Sequence, residues 1–120
     1  MPPADPNPVY PANLTVAIGA NQSIAIGGDS TTTVQRNVSS TVQANQVMTV
    51  AKDLTVTVGK NVVLQAGDSI SIVCGGASLT LKKDGTIVIK GKDLTIDASG
   101  KINAKSSGDL VVKGGKILSN

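Results

Sequence analysis

The chain predicts an all-β fold: a triangular-prism β-helix of octad repeats, built as an intertwined, triple-stranded homotrimer. Three observations carry this expectation. From Leu14 to Ala77 the sequence repeats every eight residues: LTVAIGAN, QSIAIGGD, STTTVQRN, VSSTVQAN, QVMTVAKD, LTVTVGKN, VVLQAGDS, ISIVCGGA. A fixed period marks a stacked, quasi-one-dimensional structure. Phe and Trp are absent and Tyr10 is the only aromatic residue, so the interior must be narrow and filled by aliphatic and small side chains. The residues between apolar stretches are Gly, Asn and Asp at regular places, the chemistry of repeated corners.

The first thirteen residues, MPPADPNPVYPAN, hold all five prolines. Proline donates no backbone hydrogen bond and favours extended, polyproline-like chain. Residues 1–13 therefore read as a Pro-rich linker arriving from something upstream, and 14–120 as an octad-repeat β-helix.

Within the octads, positions one, three and five are mostly apolar. Position one carries Leu14, Val38, Leu54, Val62 and Ile70; position three Val16, Ile24, Met48, Val56, Leu64 and Ile72; position five Ile18, Ile26, Val34, Val42, Val50, Val58, Ala66 and Cys74. Positions two and four are mainly Thr, Ser and Ala. Strand side chains alternate between faces, so the odd positions point inward and the even ones outward. β-branched residues on both faces favour strand over helix. Position six is often Gly (Gly19, Gly27, Gly59, Gly67, Gly75) and position eight Asn or Asp (Asn21, Asp29, Asn37, Asn45, Asp53, Asn61). These residues tolerate positive φ or bond their own backbone, as sharp corners require.

After Ala77 the rhythm slips slightly. The expected inward pairs are Leu79 with Leu81, Ile87 with Ile89, Ile96 with Ala98, Ile102 with Ala104, and Leu110 with Val112. Corners are expected at Lys82 to Gly85, Lys90 to Asp93, Ser99 and Gly100, Ser106 to Asp109, and Lys113 to Gly115.

An eight-residue side permits a single chain coiling on itself or three chains intertwining. Strand stacking makes the first a stub of roughly 20 Å and the second a needle of about 60 Å. Three features favour the trimer. No capping element closes the ends of a short solenoid. Gln22, Ser30, Thr32, Ser40 and Gln46 occupy inner columns, where three copies can hydrogen bond around an axis. The apolar side chains are also small, as a shared interior needs.

The remaining composition limits function. His and Glu are both absent, which removes the usual acid-base groups, and no spacing converges on a pocket; the chain reads as non-enzymatic. Net charge is +3, with Arg36 the only basic residue before Lys52 and ten Lys from there to Lys116. They lie among turns, often near Asp, so a solvated outer surface is expected rather than a nucleic-acid site. Gly27-Gly28-Asp29 has the look of a calcium repeat, but Asp does not recur regularly enough to bind one. No cofactor or metal is expected. Cys74 is alone and reads as a small inward residue. No apolar run is long enough to span a bilayer as a helix, and Met1 is followed by Pro2 and Pro3 rather than by a signal-peptide pattern.

Octads of the form V-x-V-G-x-N, followed by L-x-L-K-x-D-G-x-I-x-I-x-G from Leu79 to Gly91, resemble the C-terminal β-helix of VgrG proteins, spike proteins of the bacterial type VI secretion system. That β-helix is similar to the cell-puncturing spike of contractile-tailed phages. The resemblance runs from about Leu14 to Ile117. It implies a rigid trimeric needle on a contractile tube, attached to the tube protein through a hub and driven into a target membrane. It implies export through the apparatus without a signal peptide. It also implies a blunt C-terminal seat for a PAAR-repeat tip protein or effector, formed by Lys113, Gly114, Gly115, Lys116, Ile117, Leu118, Ser119 and Asn120. The competing reading is a trimeric β-solenoid adhesin or fibre segment.

Overall fold

The computed structural model describes Val9 and residues 11–120. Residues 1–8 and Tyr10, most of the expected linker, lie outside that range. The chain divides into two units, Met1–Asp53 and Leu54–Asn120. No helix occurs among the described residues, and all regular structure is β.

In the first unit the backbone bends at 11–12, 19–20, 27–28, 35–36, 43–44 and 51–52. Successive bends are eight residues apart and fall on octad positions six and seven. Between them the chain forms no hydrogen-bonded ladder with itself. The second unit begins the same way, with bends at 59–60 and 67–68. It then changes character. Strand β1 (Ser69–Cys74), β2 (Ala77–Lys82) and β3 (Ile87–Lys90) form one antiparallel sheet in the order β1-β2-β3. Beyond it, bends return at Lys92, 99–100, 107–108 and Gly115, each inside a segment expected to hold a corner.

The sheet corrects the expected continuous coil. In a coil every octad leads onward; here the chain doubles back twice. The cause lies in the connections. Gly75-Gly76 is a two-residue loop, the shortest that reverses a strand. Gly75 alone of the pair takes positive φ, at 55°, the pattern of a II′ hairpin turn. The second loop, Lys83-Asp84-Gly85, is closed by hydrogen bonds from the Gly85 amide to the Lys82 carbonyl and from the Lys82 amide to the Thr86 carbonyl, both 3.0 Å. Gly85 sits at φ 92°, as the last residue of a three-residue hairpin loop with a bulge requires.

Register follows from these loops. Ile70 faces Leu81, Ile72 faces Leu79, and Cys74 faces Ala77. On the other side of β2, Leu79 faces Ile89 and Leu81 faces Ile87. Cross-strand partners share a face, so one side of the sheet is wholly apolar. The other side carries Ser69, Ser71, Ser78, Thr80, Lys82 and Lys90, with Val73 and Val88 among them.

The corner chemistry also differs from expectation. Among the described residues only Gly75 and Gly85 have positive φ, and no Asn or Asp does. The octad corners are therefore bends made within ordinary backbone space. Positive φ is confined to the two loops that reverse the chain.

Among the described residues the chain builds no core of its own. None of the described residues is buried. The accessible surface is 13160 Å², whereas a folded monomer of this mass exposes about 6000 Å² and the unfolded chain about 17500 Å². The inward columns expected at positions one, three and five are uncovered in the single chain.

Candidate functional site

The uncovered columns are graded. Position-five side chains, from Ile18 and Ile26 to Val58, are 46–55% exposed. They stand next to the bends. Position-three side chains such as Val16, Ile24, Met48, Val56 and Leu64 are 67–73% exposed. The position-two residues Val47 and Val63 reach 86% and 82%. Thus the odd positions are partly sheltered and still leave about half or more of their surface uncovered. An apolar group left in water at every second residue of a strand is a candidate contact.

The sheet extends this surface. Ile70, Ile72 and Cys74 on β1 occupy octad positions one, three and five, so its apolar face is drawn from the same columns. Ile70 and Leu79 are half-buried, while Cys74 and Ile72 remain exposed. Ile72, Cys74, Ala77, Leu79, Ile89 and Leu94 line an open, mainly apolar recess of about 270 Å³, with Lys90 and Asp93 at its edge. No charged side chain points to that face within the ladder.

The second loop carries the polar interactions. The Thr86 amide donates to Asp84 Oδ1 at 3.0 Å. Hydrogen bonds from the Thr86 backbone and then its side chain hold the Asp84 carboxyl below the usual carboxylate range. Lys83 donates twice to Asp68, from its amide to the carbonyl at 3.0 Å and from Nζ to Oδ1 at 3.4 Å. Both side chains are largely exposed, so this ion pair contributes little; its backbone bond adds one rung beyond β1 and β2.

The segment Lys113–Asn120 is contiguous, exposed throughout, and bent at Gly115. Ile117 and Leu118 present their side chains to solvent. Gly114 is tucked close to its own chain: a Cβ there would meet the Lys116 carbonyl oxygen at 3.7 Å, an ordinary contact. Among the described residues no cluster of potential metal ligands occurs, and no helix is long and apolar enough to cross a membrane.

Sequence reasoning missed Gly75, Asp84 and Gly85 as hairpin residues. The signal was present. Gly-Gly between two alternating apolar runs is a hairpin pattern, and the apolar spacing changes from even steps to the odd step Cys74 to Ala77.

Described residues that are all-β, build no core of their own and display regularly spaced apolar columns suit an assembly module rather than a self-contained globular domain. Residues 11–81 match the family described as the bacteriophage T4 gp5 C-terminal trimerisation domain. The match covers more than half of the chain, and the chain belongs to that family. No curated protein matches it.

Proposed function

We propose that the chain is the shaft of a trimeric, membrane-piercing spike in a contractile secretion machine of the type VI kind, related to VgrG. Three copies wrap their octads about one axis, and each strand takes its ladder partners from the neighbouring chains. The observation that carries this reading is the pairing of family and burial. A chain of a trimerisation-domain family leaves its odd-numbered octad side chains uncovered along both units. Three chains closing on those columns supply the missing core and the missing ladders together.

The mechanical role follows from the same arrangement. A closed prism leaves unpaired strand edges only at its ends. Load along the axis is shared by many hydrogen bonds and a continuous apolar core. The C-terminal end, Lys113–Asn120, then offers a small exposed platform on which a PAAR-type tip protein or effector sits. The role is structural and non-catalytic. Export occurs through the apparatus itself, and contact with the target membrane is transient.

Light scattering combined with electron microscopy tests the reading. The expected particle has three times the chain mass and a length of about 60 Å. A monomer of chain mass in native buffer would refute it. Binding of a PAAR-type protein is expected to be lost when the chain is truncated after Asp109; undiminished binding removes the tip assignment while leaving the trimer intact.

A further inference from the structure

An octad array has a weakness that its own regularity creates. Three chains displaced by one octad still place Ile or Val inward at position five from Ile18 to Val58, so that column by itself does not set their level. Register is poorly specified wherever the pattern repeats without interruption. The antiparallel sheet of residues 69–90 interrupts it. We propose that this sheet is a register lock: its apolar face packs against the same face of two further copies and holds the three chains at one level. This inference rests on the trimeric reading above and adds the element that aligns it.

Four observations point to copies of this chain as the occupant. The face carries no charge and no polar side chain, so it suits an apolar partner. Its β1 residues Ile70, Ile72 and Cys74 continue the columns through which the octads are proposed to associate. The trimerisation-domain match runs through β1 and ends at Leu81, inside β2. Finally, Ile72, Ile87 and Ile89 are 59–64% exposed in the single chain, although a lone small sheet needs its apolar face covered to be stable.

The order of events follows from topology. Both hairpins close through short loops, and their contacts are local in sequence. Such contacts form early because little loop entropy opposes them. Residues 14–66 have no ladder partners in their own chain, so they order only when other chains arrive. Three sheets docked face to face therefore bring identical octads level before the octads braid.

Thiol labelling of the full-length chain tests the contact. Cys74 lies on the proposed buried face, and Val73 beside it lies on the opposite face. In a particle of three-chain mass, Cys74 is expected to react about a hundredfold slower than in the urea-unfolded chain, as protection within a cooperative unit implies. A Cys74→Ser, Val73→Cys variant is expected to react at nearly the unfolded rate. Equal and rapid labelling of both positions in a particle of three-chain mass overturns the lock and leaves the trimer standing; chain mass alone overturns both. Refolding kinetics test the alignment. Leu79→Ala is expected to slow assembly about tenfold or more, whereas Val16→Ala chiefly speeds dissociation, the split expected between early and late contacts. The reverse pattern also overturns the lock.

Discussion

Residues 14–66 and residues 69–90 carry the same kind of alternating apolar sequence, yet only the second stretch pairs with itself. The difference lies in what joins the strand segments. In the octads, the last inward residue of one repeat and the first of the next are an even step apart, as Ile18 and Gln22 are. The connecting bend carries the chain onward. Between β1 and β2 the step from Cys74 to Ala77 is odd, and Gly75 takes positive φ. A two-residue loop with that geometry sends the chain back along itself. Strand propensity is therefore shared by both regions, and connection geometry decides whether the ladder closes within a chain or is left for a partner.

The strongest way to break this contrast is to charge an inward octad position. Ile26→Asp places three carboxylates in the proposed shared core. An unpaired buried charge costs several kcal/mol, and the three lie near one another. Loss of the three-chain particle is the expected outcome, seen as chain mass by light scattering. Ser23→Asp, on an outward position of the same repeat, should change stability by no more than about 0.5 kcal/mol. Equal effects from the two substitutions would show that the odd and even positions are not distinct faces.

Much of this was legible in the residues themselves. The eight-residue spacing of the bends and the apolar columns are both visible in the octads, because alternation and Gly/Asn punctuation are local signals. The inward pairs Leu79 with Leu81 and Ile87 with Ile89 are likewise visible and share one face of the sheet. Their partners were not. Ladder pairing is non-local, and the octad rhythm invites the reader to treat Gly75-Gly76 as one more corner. The proposed tip at Lys113–Asn120 carries no periodic signal and was reached through resemblance alone.

A smaller effect separates the two kinds of bend. Gly85 holds φ 92°, where a side chain is strained, so Gly85→Ala should cost about 1–3 kcal/mol. Gly59 has ordinary φ, and a Cβ added there meets nothing within 4 Å in the chain. Gly59→Ala should be neutral or stabilising by up to about 1 kcal/mol, through reduced freedom of the unfolded chain. Urea midpoints of the assembled protein, compared at one protein concentration, check the pair. A loss at Gly59 as large as that at Gly85 would mean that another chain approaches the octad corner closely.

The gentlest probe is acid, and its target is the second loop of the sheet. Asp84 is fully exposed, and its carboxyl is held below the usual range by the Thr86 amide and hydroxyl. A carboxylate with a lower pKa in the folded state than in the unfolded state stabilises the fold at pH above the unfolded value, about 3.9. That contribution is lost as pH falls through the folded value. The second loop should therefore loosen below about pH 4. Protection of the Thr86 amide, its exchange rate by NMR relative to the intrinsic rate at each pH, is expected to fall in that window. Asp84→Ala should show low protection at every pH. Asp84→Asn keeps a carbonyl acceptor at the same place, so it should retain protection and lose its pH dependence. If Asp84→Asn kept the wild-type acid transition, some other carboxylate would be controlling the loop.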